Sequence, residues 1–161
     1  MGVGPKIGYV DPEAGIKSTI AFGGVVDLGT ITPQITLEGE VLYWSKSYDA
    51  GYWEWSYSQI YISGIAKYYF NQKKGAKFLP YAGGGLGLVI GKSSSDYKGE
   101  FDWMEDGSTD VSNTGLCLTF VGGAKYPLNK KTYGFGEFRY STGGDAADIL
   151  GVFVGVVFSI K

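Results

Sequence analysis

The amino-acid sequence predicts an all-β fold, an eight-stranded antiparallel up-and-down barrel in a single domain over residues 1–161. Three observations predict it. The composition is that of a sheet: 27 Gly, 13 Tyr, 9 Phe and 4 Trp are interleaved with Val and Ile, and the glycines follow no collagen period. Apolar residues alternate with small or polar ones in eight segments bounded by turn chemistry. The connections between those segments alternate in kind, as they must when every second turn lies at the same end of the sheet.

The segments follow in order. β1 is expected near 4–10 and is short, and DPEA leads into β2 near 15–28. In β2, Ile16, Ile20, Phe22 and Val26 share one face, and Lys17, Thr19 and Gly23 the other. After the tight connection TITPQ, β3 near 34–47 sets Ile35, Leu37, Val41 and Tyr43 against Thr36, Glu38, Glu40 and Lys46. SYDAGYW precedes β4 near 54–70, where Ile60, Ile62 and Tyr68 oppose Ser63 and Lys67. The tight NQKKGAK leads to β5 near 77–92, and the long SSSDYKGEFDWMEDGSTDVS to β6 near 113–126, with Leu116, Leu118 and Phe120 opposing Gly115, Thr119 and Lys125. PLNKK turns into β7 near 132–142, where Phe138 and Tyr140 oppose Glu137 and Arg139. Beyond GGDAA, β8 near 148–160 carries Val152, Val154, Val156, Phe158 and Ile160 on one face, Gly151, Gly155 and Ser159 on the other.

The β5 stretch FLPYAGGGLGLVIGKSSS invites a nucleotide-binding reading, which its spacing defeats. A phosphate-binding G-x-x-x-x-G-K-[ST] loop ending at Gly91-Lys92-Ser93 requires glycine where the chain has Leu86, and G-x-G-x-x-G from Gly85 requires one at Ile90. Both need a following helix, and no helical apolar stripe follows. At period two, Pro80, Ala82, Leu86, Leu88 and Ile90 share one face while Tyr81, Gly83, Gly85 and Gly87 share the other.

Two closed barrels fit this alternation. A soluble lipocalin-like carrier buries its apolar face inward, whereas a transmembrane barrel turns it to lipid. The glycines favour the second: a water-facing strand surface gains nothing from a residue that weakens strands, but a narrow lumen needs small residues where long charged side chains cross it. Most segments reach the roughly 9–11 residues that span a bilayer as tilted strands. Aromatic residues cluster near segment ends (Tyr43, Trp44, Trp53, Trp55, Tyr57, Tyr68 to Phe70, Tyr126, Tyr133, Tyr140 and Phe158), as in interfacial girdles. No apolar run is long enough for a transmembrane helix, and MGVGPKIGYV reads as a mature start rather than a leader.

The stretches FNQKKGAKFLPYAGGGLGLVIG, YGFGEFRYSTGG and GVFVGVVFSIK resemble the small eight-stranded outer-membrane β-barrels of Gram-negative bacteria, the OmpA/OmpX type. The resemblance covers nearly the whole chain and implies an outer-membrane location, contact with lipid and lipopolysaccharide, and long loops outside the cell above short periplasmic turns. Two departures stand out: the short first strand, and Lys161 in place of the terminal aromatic usual in that family. Nothing follows the eighth strand, so no peptidoglycan-binding domain is expected.

Enzymatic chemistry is not expected. Barrels of this size that act on lipid A or peptides generally use a catalytic His, as the resemblance implies, and this chain has none. Its one cysteine, Cys117, lies in apolar TGLCLTFVGG and reads as a packed thiol. Glu38 and Glu40 point the same way, about 6 to 7 Å apart, but they share the interior with Lys17, Lys67, Glu137 and Arg139. Buried charges must pair, so a structural ion-pair core is expected. With Tyr61, Tyr81 and Phe153 it leaves no wide water path. A narrow channel through rearranging pairs, or a lateral conduit for small hydrophobic molecules of the OmpW type, is the alternative; the conduit would need an apolar lumen.

The exposed end is acidic: the connection from Lys92 to Asn113 holds Asp96, Glu100, Asp102, Glu105, Asp106 and Asp110 against Lys92 and Lys98, without DxDxDG spacing for calcium. Phe101, Trp103, Met104, Glu105 and Asp106 form a candidate surface-interaction loop toward host or neighbouring-cell molecules. No cofactor, metal or nucleic-acid partner is expected, and the barrel is expected to be a monomer. Expressed without an export leader, the chain should collect in inclusion bodies and refold only in detergent, with heat-modifiable gel mobility. Recovery as a folded monomer in plain buffer would rule out the membrane reading.

Overall fold

The structure is a computed structural model that describes residues 1–12, 18–49, 53–70, 75–97, 109–143 and 148–160. Eight strands run in chain order, β1 Gly2–Pro12, β2 Thr19–Thr32, β3 Ile35–Asp49, β4 Trp53–Tyr69, β5 Leu79–Tyr97, β6 Thr109–Asn129, β7 Thr132–Thr142 and β8 Ile149–Ser159. Each pairs antiparallel with the next. β8 returns to β1, Gly2 facing Ser159 and Pro12 facing Ile149, which closes the barrel. No helix occurs among the described residues.

Period-two alternation decides the direction of every side chain. The outer wall is apolar: Leu116 is 70% exposed, Phe138 65% and Leu86 64%, while inward Trp44 and Phe153 are fully buried. That inversion of the soluble pattern is what a lipid-facing surface requires. Of the end-of-strand aromatics, Tyr68, Phe70, Tyr126, Tyr140 and Phe158 stand on the outer wall, joined by Tyr9 and Phe78. Trp44, Tyr57, Tyr69 and Tyr133 instead pack with the lumen clusters, because their parity along β3, β4 and β7 points them inward.

Strand ends differ from the sequence expectation for identifiable reasons. β1 is not short; its prolines and glycines hide an alternation that pairs from Gly2 to Pro12. β2 continues past 28 because Gly29, at φ 111°, forms a bulge rather than a turn, its N–H donating to Asp27 Oδ1 at 2.9 Å. Pro33 and Gln34 then make the turn. Ser93–Tyr97 and Thr109–Ser112, expected within a loop, are strand, with Ser93 to Ser95 facing Tyr57 to Trp55 on β4 and Val111 to Thr109 on β6. Backbone pairing suffices there, with no apolar face needed.

The inward glycines answer to curvature before they answer to charge. A Cβ at Gly85 would fall on the Gly64 carbonyl of β4, one at Gly123 on the Gly136 carbonyl of β7, and one at Gly4 on the Val156 carbonyl of β8. The expectation that these glycines chiefly clear room for long charged side chains is therefore corrected: neighbouring backbone comes first, since a barrel this narrow bends its strands together on the inner face. Outward Gly64 and Gly122 have nothing within 4 Å of a built Cβ. Gly85→Val should cost roughly 1–3 kcal/mol or more, and Gly64→Ala should stay within about 0.5 kcal/mol, as measured by urea titration in detergent micelles. Equal sensitivity at the two positions would contradict this account.

Candidate functional site: the charged layer of the lumen

Midway along the lumen six ionisable side chains converge, Lys6 from β1, Glu38 and Glu40 from β3, Lys67 from β4, and Glu137 and Arg139 from β7, each no more than 5% exposed. Three cations face three anions. Each strand contributes inward residues two apart, so Glu38/Glu40 and Glu137/Arg139 project as pairs from walls that closure brings face to face.

Glu137 is the hub. Its carboxylate pairs with Lys6 and Lys67, the latter at 3.1 Å, and accepts the Tyr81 hydroxyl at 2.7 Å. Lys67 also reaches Glu38 at 2.7 Å, and Glu40 pairs with both Lys6 and Arg139. The guanidinium is seated by hydroxyls: Nε donates to Ser141 Oγ at 2.9 Å, and Nη2 lies 3.4 Å from Ser63 Oγ and Thr119 Oγ1. The lysine ammonium groups also lie over rings, Lys6 4.7 Å from the Phe153 centroid and Lys67 4.7 Å from that of Tyr81.

Apolar layers bound the charges on both sides. Toward the long-loop end lie Val10, Leu42, Trp44, Tyr61, Val89, Ile149 and Phe153, with Tyr61 donating to Gln59 Oε1 at 2.6 Å. Toward the short-turn end lie Ile65, Tyr69, Tyr81 and Val121, and beside them Val25, Phe135 and Val157. Such surroundings raise the cost of any uncompensated charge.

The sequence-predicted interior residues Glu38, Glu40, Lys67, Glu137 and Arg139 are thus brought together. Lys17 lies outside the described residues, as do the loop candidates Phe101, Trp103, Met104, Glu105 and Asp106. Lys6 was missed. Its signal was the alternation of Gly2, Gly4, Lys6 and Gly8 against Val3, Pro5 and Ile7, legible once β1 is extended to Gly2. Glu38 and Glu40 share a face but are occupied by different cations, so the carboxylates do not meet as an acid–base pair. Cys117 is buried in the upper apolar cluster. At the long-loop mouth, hydrogen bonds from Thr142 Oγ1 at 2.7 Å and Tyr140 OH at 2.9 Å hold the Asp148 carboxyl below its usual range.

Comparison with known proteins gives one family and a set of structures. The sequence profile of the family described as "Outer membrane protein beta-barrel domain" matches residues 1–158. Neisserial surface protein A is similar in structure, with a TM-score of 0.66 at 16% identity over 99% of this chain and 96% of that one. Ail, the attachment invasion locus protein of Yersinia pestis, crystallised with the heparin analogue sucrose octasulfate, gives 0.64 at 13% over 98% and 97%. The N-terminal barrel domain of Pseudomonas aeruginosa OprF gives 0.55 at 14% over 98% and 97%. No curated protein sequence matches the chain. At these identities the structural likeness is one of fold.

Removing the hub anion strands two buried lysines, so Glu137→Ala should destabilise the barrel by roughly 3–5 kcal/mol. Lys131→Ala, on an exposed turn, should stay within about 0.5 kcal/mol. Urea midpoints in detergent test both, and a Glu137→Ala barrel as stable as the parent would show that the layer carries no net pairing energy.

Proposed function

The chain belongs to the outer-membrane protein β-barrel domain family, integral to the bacterial outer membrane, and on that premise we propose that it is a non-enzymatic, non-conducting monomer that works through surface contacts at its extracellular end. Its barrel is anchored by lipid and lipopolysaccharide on the outer wall. The charged layer acts as a structural plug, a role supported by the mutual pairing of its six groups and the aromatic layers around it. A lateral conduit for hydrophobic molecules is disfavoured by that same charge.

One observation carries the surface reading: four strands continue beyond the closed part of the barrel. β2 pairs with β3 only as far as Ala21↔Trp44, and β7 with β6 only as far as Leu118↔Thr142. β3, β4, β5 and β6 remain paired up to Asp49↔Glu54, Trp53↔Tyr97 and Ser95↔Thr109. A four-stranded sheet therefore rises above the mouth, with residues 47–49 and 109–115 lacking a paired strand on one side among the described residues, whereas Ser45 and Lys46 still bond Thr19 and Ser18 and Gly143 lies against Leu116 and Cys117. Open strand edges are templates for contact with another chain. The sequence that joins β5 to β6 is acidic, which sets this protein apart in chemistry from a binder of polyanions and favours a protein partner, on a host or neighbouring cell, that presents basic groups.

Replacing residues 94–112 by a two-residue turn should abolish cell-surface attachment by bacteria displaying the protein while leaving heat-modifiable folding intact. The parent protein should give no steady single-channel current in planar bilayers. Unchanged attachment by the shortened chain, or discrete openings of the parent, would overturn the proposal.

A further inference from the structure

At the periplasmic end the lumen widens into a cavity of about 330 Å³, bounded by Thr30, Pro33, Thr36, Tyr69, Leu79 and Lys125. It lies within the mouth rather than on the lipid-facing wall, because Tyr69, Leu79 and Lys125 share the inward parity of their strands. We propose that this vestibule binds the free carboxylate terminus of a periplasmic peptide ending in a small apolar residue.

The cation is the first reason. Lys125 forms no ion pair with any described carboxylate. Its ammonium group rests instead against ring faces, 3.4 Å from the Tyr133 centroid and 5.6 Å from that of Tyr69. The acids nearest in the fold stand outside ion-pair distance of Lys125, and each has other partners. Asp27 accepts the Tyr133 hydroxyl at 3.3 Å and the Gly29 amide at 2.9 Å, and Glu38 is held by Lys67 at 2.7 Å. Among the described residues the other deep lumen cations, Lys6, Lys67 and Arg139, each have a carboxylate, whereas Lys125 has ring faces, a contact an incoming anion displaces readily.

The lining is the second reason. Thr30 and Thr36 line the same cavity as Lys125 and carry hydroxyl donors, and Pro33 and Leu79 provide an apolar wall for a methyl-sized side chain. The volume is at the small end of ligand pockets, which fits a terminal residue or two and not a folded domain. Exposed Lys77, Lys130 and Lys131 stand on the surrounding turns, so the field at the entrance draws anions in from the periplasm. A phospholipid headgroup offers an anion too, but its chains lie against the outer wall, and the vestibule opens along the barrel axis.

The test uses the whole chain, isotope-labelled and folded in detergent micelles, titrated with N-acetyl-dialanine, with the C-terminal amide of that dipeptide, and with glycerol phosphate. The acid should shift Thr36 and Leu79 signals saturably, and the amide should not. Lys125→Met should weaken binding by about tenfold or more, Lys125→Arg should retain it, and Lys92→Met at the opposite end should leave it unchanged. Equal shifts from acid and amide, tighter saturation of the same residues by glycerol phosphate, or parental affinity in folded Lys125→Met would each overturn the proposal. Should Lys125→Met not fold, the acid–amide comparison and Lys125→Arg decide alone. The vestibule is independent of the extracellular surface, so either reading survives the failure of the other.

Discussion

Closure of eight strands leaves a lumen so narrow that no inward side chain is independent of the opposite wall, and mutual charge compensation across that lumen is the interaction on which the rest of the barrel depends. Lys6, Lys67 and Arg139 neutralise Glu38, Glu40 and Glu137 within one layer. A charge stranded there would face an apolar layer above and another below, at a cost of several kcal/mol. Ions in such a layer contribute less by mutual attraction than by what their separation would cost. The layer therefore specifies one arrangement of strands: a one-residue slip of β1, β3, β4 or β7 would turn that strand's charges toward lipid and leave their partners in the lumen uncompensated.

The same narrowness explains the glycines. A strand that bends tightly enough to close brings its inner face onto the carbonyls of its neighbour, and at Gly4, Gly23, Gly85 and Gly123 a side chain would collide with that backbone. Glycine weakens a strand in isolation. In this barrel the loss is offset by the complete hydrogen-bonded ring that its absence would prevent.

Because the middle is filled, the surfaces open to other molecules along the barrel axis lie at its two ends. At the long-loop end four strands stay paired beyond the ring, and the sequence that joins β5 to β6 is acidic. At the periplasmic side short turns carry lysines around a small vestibule in which Lys125 faces rings rather than carboxylates. The short turns at one end are rich in lysine and the longest connection at the other is rich in acids, so the two ends differ in charge across a filled core.

The sequence by itself determined the strand number, the inside and outside of each strand, and most of the charged layer: period two is a local property, readable from Glu38 and Glu40 or Glu137 and Arg139 without knowing what lies opposite. It also marked the lipid-facing wall through Val152, Val154 and Phe158. Tertiary structure alone decided which cation meets which anion, because contacts across the lumen depend on the registers of all eight ladders taken together. It placed Lys6 in the layer after prolines and glycines had obscured β1, and turned Trp44, Tyr69 and Tyr133 inward where clustering near strand ends had suggested a girdle. It also carried β5 and β6 beyond their apolar stretches, since backbone pairing with β4 continues wherever a neighbour is present, whatever the side chains. Local alternation is written residue by residue; curvature, register and the meeting of opposite walls exist only once the ring has closed.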